Sequence, residues 1–352
     1  MSKLQSPSYI LILFFLFVLS LSSTFEIVSA GVHKKKDLTK KDLIDAPLLD
    51  SKIKTNRTIL VGPKERIKSI QDAIDRVPKG NSEWTIIHLR AGIYREKVMI
   101  PKNKEKIFLR GNGKGRTAIV WSDGSSDNSE SATFTVHANN FVAFGISIKN
   151  DAPLSVKDTP FNQSVAVMVA GDKVAFYHCA FYSPHNTLFD NKGRHYYESC
   201  YIQGNIDFIF GRGQSIFQSC EIFVLADQRT KILGSITSHY RQSAKEKSGF
   251  VFLEGKVYGT GSVYLGRPRG AHSRVIWAKT YLSKCIDPHG WTDWSYDGHT
   301  EQVLQGEYQT KGPGADPAGR VSWSSQLGEE ETAPFMTVDF INGKEWLPAY
   351  NH

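Results

Sequence analysis

The run GNIDFIFGRG sets Asp207 inside an apolar segment, between Ile206 on one side and Phe208, Ile209 and Phe210 on the other. A carboxylate there is costly to bury unless it is paired or hydrogen-bonded. Two readings follow: a structural Asp satisfied by backbone amides, or one kept ionised by a nearby Arg and poised for attack. Arg267, in the Gly/Pro-rich segment YLGRPRG, is the candidate cation, although spacing alone does not bring the two together. GNGKGR at residues 111–116 lacks the Lys-Ser/Thr pair and the following helix of a phosphate loop, and reads as a turn. The cysteines Cys179, Cys200, Cys220 and Cys285 form no CxxC or Cys/His cluster that would suggest a metal.

The elements that must position these residues show an internal repeat. AFYHCAFYSPHNTLF, YYESCYIQGNIDFIF and IFQSCEIFVLADQR align on Cys179, Cys200 and Cys220, roughly 20 residues apart, and GFVFLEGKVYG continues the series with Gly255 in the cysteine place. A repeat of this length built from short β-branched and aromatic runs, with no helix in each unit, implies an all-β parallel β-helix solenoid whose coils stack at about 4.8 Å. The cysteines then form a ladder, either of buried thiols or with one pair closed as a disulfide, since coil spacing lies within disulfide reach. Before the repeat, Ile67, Ile70, Ala73, Ile74 and Val77 recur at helical spacing until Pro78-Lys79-Gly80. This helix is expected to cap the open end of the solenoid. A β-sandwich is the alternative architecture, but it would not show coil-length self-similarity.

The 352 residues, 40% hydrophobic and 22% charged, suit a globular protein with a large core. Lys3, the apolar run Tyr9 to Leu21 and the small residues Val28-Ser29-Ala30 read as an export signal over 1–30. Residues 31–57, with Lys34, Lys35, Lys36, Lys40 and Lys41, are expected to be a basic flexible arm, and 58–352 the folded domain. Once the signal is removed no membrane span is expected. For an exported protein of formal charge +8, an acidic polysaccharide is the expected partner rather than nucleic acid. Asn56-Arg57-Thr58 and Asn162-Gln163-Ser164 are glycosylation triplets; use of the second is doubtful because it adjoins the presumed site.

Across about Thr58 to Leu347 the chain resembles the pectin methylesterase (pectinesterase) family of plants and bacteria. The resemblance is carried, in the family's order, by AGIYREKV, NQSVAVMVAGDKVAFYHCAFYSP, YIQGNIDFIFG, YLGRPRGAHSRVIWAKTYL and HGWTDW. It implies a right-handed parallel β-helix and cofactor-free hydrolysis of methyl esters on homogalacturonan, giving pectate and methanol. It further implies a secreted, cell-wall, monomeric protein without the inhibitor-like prodomain of some relatives, and possible recognition by a proteinaceous methylesterase inhibitor. By the same resemblance Asp207 matches the family's nucleophile, Arg267 the arginine that orients it, and Gln163 an oxyanion-stabilising glutamine.

The chain also departs from the family pattern. Where the family reads Gln-Asp-Thr-Leu, this chain has His185-Asn186-Thr187-Leu188, and where Trp follows Gly-Arg-Pro it has Arg269. The family's Asp in that motif is its general acid/base. Asn186 can donate a hydrogen bond to an oxyanion but cannot exchange a proton near neutral pH. One reading gives the proton work to His185, whose imidazole titrates near neutrality; another leaves His185 only hydrogen-bonding. The alternative function is a catalytically impaired homologue that binds pectin, using Arg269 for free carboxylates. Tyr182, Phe208 and Trp291 are candidate sugar-facing aromatics, with core packing as the competing role for each. A polygalacturonase or pectate lyase is disfavoured, because no second carboxylate or calcium-binding cluster is evident beside Asp207.

Overall fold

Short β-branched and aromatic runs build the molecule one coil at a time, as in Arg194–Glu198, Tyr201–Gly204 and Ile209–Gly211. The computed structural model describes residues 46–153, 163–226, 233–297 and 299–350. Successive coils lay their strands into three sheets of eleven, eight and seven strands. All the ladder pairings are parallel, as at Leu188↔Ile209 and Ile209↔Thr237. The architecture is the expected parallel β-helix.

In five successive coils the chain turns from the first sheet into the second through one left-handed residue with a Cβ. His178, Ser199, Ser219, Glu254 and Lys279 have φ of 52°, 53°, 52°, 56° and 51°. The conformation costs about 1–2 kcal/mol for a residue with a Cβ. Part of that is offset because each of their N–H groups donates to a strand-end carbonyl of the next coil, for example His178 to Glu198 at 2.9 Å and Ser219 to Leu253 at 2.7 Å. Immediately after the bend come Cys179, Cys200 and Cys220, all buried free thiols, so no disulfide closes the ladder. Further inside, Phe176, Tyr197, Phe217, Phe252 and Trp277 stack in near-parallel register, with centroids 5.6, 4.6, 4.5 and 3.8 Å apart.

The expected capping helix is present but shorter, as α2 (Ile70–Arg76), with Ile70, Ala73 and Ile74 buried. Ile67 falls outside it because its backbone bridges to Val61. Glu96 caps the helix start, accepting from the Ile70 N–H at 2.8 Å, the Ser69 hydroxyl at 2.8 Å and the Gln71 N–H at 3.1 Å. The Tyr94 hydroxyl donates to the Val61 and Arg90 carbonyls, so this Tyr-x-Glu pair is structural.

The arm expected over 31–57 needs a correction at its end. Residues 46–52 form helix α1 (Ala46–Lys52), and Leu49 and Ile53 are buried against the outer face of the first sheet together with Phe108 and Val142. Apolar side chains at this spacing outweigh the basic character of the preceding residues. The C-terminal turns cover the same face through Ile341, Trp346 and Leu347. The export signal, the Lys cluster and Asn162 lie outside the described residues, whereas Asn56 is exposed.

Candidate active site

The seven-stranded sheet organises the chemistry. Its strands Val167–Val169, Leu188–Asp190 and Ile209–Gly211 are neighbours in register. Gln163, Asn186 and Asp207 therefore enter from the same edge in three consecutive coils, and neighbouring coils are about 4.8 Å apart. Asn186 and Asp207 occupy equivalent positions, and both are left-handed, with φ of 55° and 47°. Asn and Asp tolerate this conformation better than most residues with a Cβ. The Asp207 N–H is fixed by the Ser235 carbonyl at 2.8 Å, and the Asn186 N–H meets the Ile206 carbonyl at 3.4 Å.

Arg267 arrives from two coils further on, in the strand Val263–Pro268. Its Nε donates to Asp207 Oδ1 at 2.9 Å and Oδ2 at 3.2 Å, and its Nη2 donates to Oδ2. The Ser235 hydroxyl donates to Oδ1 at 2.6 Å. Both carboxylate oxygens are thus held, Oδ1 by two donors and Oδ2 by Nη2 and the longer Nε contact. The side chains are 13% and 3% exposed for Asp207 and Arg267. This arrangement answers the desolvation cost that the apolar run implied: a forked, charge-assisted pair holds and orients the carboxylate. Arg267 is itself clamped, its Nη1 donating to the Trp294 carbonyl at 2.9 Å while the Trp294 ring lies 4.7 Å from the guanidinium carbon.

The other expected site residues divide. Gln163 is fixed by two backbone bonds to Ser125, at 2.9 and 3.1 Å, and its buried Oε1 has no hydrogen-bond partner. His185 is buried, with its carbonyl accepting from the Ser183 hydroxyl at 3.1 Å. Arg269 is half-buried, its guanidinium 5.1 Å from the centre of the Tyr240 ring. Tyr182 is half-buried in the eight-stranded sheet, against Tyr201 at 5.3 Å, four residues before Asn186.

Two expected aromatics are corrected. Phe208 is fully buried in the core, so it cannot face a sugar. The left-handed turn at Asp207 breaks strand alternation, and Phe208 and Ile209 both point inward. Trp291 is also buried, filling the space beside Gly266, where an added Cβ would sit 3.0 Å from the indole. The accessible aromatic of HGWTDW is Trp294, 42% exposed. Phe189 and Phe210, stacked at 4.6 Å on the outer face of the seven-stranded sheet, form with Met168 an apolar strip in register with Ser238 and Arg267. Sequence reasoning missed Ser235, Trp294 and this strip; period-2 alternation outward from Phe210 would have found the strip.

A buried carboxylate held by a forked arginine at the edge of a parallel β-helix can be compared with known proteins. The pectinesterase family model matches residues 59–344. The chain belongs to the pectinesterase family. It is 61% identical to "Probable pectinesterase 67" of Arabidopsis thaliana over 88% of this chain and 91% of that protein. It is 39% identical to pectinesterase QRT1 of the same plant, over 79% of this chain and 75% of that protein. Among solved structures it is similar to a pectin methylesterase from carrot, with TM-score 0.79, 28% identity, and coverage of 85% of this chain and 97% of that one. A pectin methylesterase from Aspergillus niger superposes with TM-score 0.72 at 25% identity, covering 83% and 96%.

Proposed function

We infer that this pectinesterase is exported to the cell wall and hydrolyses the methyl esters of homogalacturonan there, with Asp207 as nucleophile. The observation that carries the assignment of Asp207 is its buried carboxylate, held on both oxygens by Arg267 and Ser235. One carboxylate oxygen attacks the ester carbonyl, and the C–O bond to the methoxy group breaks to leave a uronyl–aspartyl anhydride. The side-chain amides of Gln163 and Asn186, at the edge from which Asp207 enters, supply N–H donors for the oxyanion. Departing methoxide takes a proton from a general acid; water then opens the anhydride, returning one proton to that group and releasing the other as the Asp207 carboxylate and the uronate form. Asn186 cannot carry those protons. His185, the adjacent titratable side chain in the same turn, is assigned that transfer.

The test is a pH-stat and methanol assay on highly methylated homogalacturonan. Equal release of methanol and carboxylate, without new reducing ends, is expected. New reducing ends would instead indicate backbone cleavage. Absence of methanol from the native chain together with methanol from Asn186→Asp would contradict turnover and leave a pectin-binding protein.

A further inference from the structure

Arg269 is the first residue past the strand Val263–Pro268 that carries Arg267. Its N–H donates to the His239 carbonyl at 3.0 Å, so the parallel ladder continues past Pro268. Alternate residues of an extended strand share a face, and two residues span about 7 Å. The guanidinium lies over Tyr240, which packs with Met168 and Phe210 in the row that continues to Arg267, so it emerges on the same side as Arg267, displaced by about the rise of two residues. Arg267, Arg194 and Arg320 are paired to Asp207, Asp172 and Glu307, and Arg241 and Arg274 donate to backbone carbonyls. Arg269 meets no carboxylate among the described residues; its contact is the Tyr240 ring, which packs against the apolar strip containing Met168 and Phe210.

A planar cation steadied on an aromatic ring, with its N–H fork uncommitted, is suited to bidentate capture of a carboxylate. A methyl ester offers no such charge, whereas the product of this reaction does. We propose that Arg269 binds the free carboxylate of a galacturonate unit next to the one being de-esterified. This rests on the methylesterase reading above.

The test compares kcat/KM on two oligogalacturonates of equal length, one fully methylated and one carrying a single free carboxylate beside an ester, for the native chain, Arg269→Lys and Arg269→Gln. The native enzyme is expected to prefer the mixed substrate by roughly 10-fold or more, the scale of a charged hydrogen bond. The ratio should shrink in Arg269→Lys, approach one in Arg269→Gln, and in the native enzyme fall as salt rises. A native ratio of one, or a ratio unchanged in Arg269→Gln, would overturn the proposal. Calorimetric titration with unesterified oligogalacturonate separates this from the methylesterase reading. If no variant released methanol, weaker binding by Arg269→Gln, with an unchanged circular dichroism spectrum, would still support the carboxylate site; equal binding would reject it.

Discussion

Asp207 and Arg267 lie 60 positions apart in sequence, yet they share three contacts between side chains. Two consequences follow at this scale. Arg267→Lys keeps the charge but loses the fork, so kcat is expected to fall by about 10²-fold with the fold intact. Arg267→Ala leaves Asp207 buried and unpaired, and denaturant titration should show about 3–5 kcal/mol lost. Asn186→Asp places a proton-exchanging group one coil from the nucleophile and is expected to raise kcat by about 10²-fold, with a new ionisation in its pH profile. No gain there, coupled with a collapse in His185→Gln, would assign all the proton transfer to His185. The meeting of Asp207 and Arg267 was legible through motif order. Ser235 was not, because it follows an insertion that interrupts the repeat of roughly 20 residues. Phe208 misled because a left-handed residue precedes it, and a simple alternation does not survive such a turn.

The coil is the next scale, and its tightest constraint lies inside the solenoid. Asp190 accepts from the Tyr197 hydroxyl at 2.9 Å and the Ser215 hydroxyl at 2.8 Å, and pairs with His195 Nδ1 at 2.8 Å. Burial pulls the His195 pKa down, but the charge and hydrogen bond of Asp190 outweigh it and the net shift is upward. A Cβ at Gly213 would lie 1.5 Å from Asp190 Oδ1. Gly213→Ala is therefore expected to cost about 3 kcal/mol or more by overpacking, read from urea unfolding. Phe217, stacked between Tyr197 and Phe252, should cost about 3–5 kcal/mol on replacement by Ala. The cysteine alignment disclosed these coils, since equal positions in successive coils repeat their chemistry. The covering of the first sheet by α1 and the C-terminal turns was not foreseen, because those segments belong to no repeat and their apolar residues find partners only in the folded chain.

At the scale of the whole molecule, stability should depend on pH through His239. Burial, helped by Arg274, Arg241 and Arg212, pushes its pKa down to about 3. In the unfolded chain the imidazole takes up a proton near pH 6.5, whereas in the folded chain it does so only near 3. Its contribution is therefore complete above 6.5 and lost as pH falls through that window, by up to about 1.4 kcal/mol per pH unit. His239→Gln should flatten that slope in denaturant titrations between pH 6.5 and 4. The account as a whole turns on the nucleophile. Its most direct measurement is methanol release from highly methylated homogalacturonan by the native chain and by Asp207→Asn at matched circular dichroism. The account predicts release by the native chain and a loss on the order of 10⁴-fold or more in the variant. Turnover surviving in Asp207→Asn at near-native rate would contradict it.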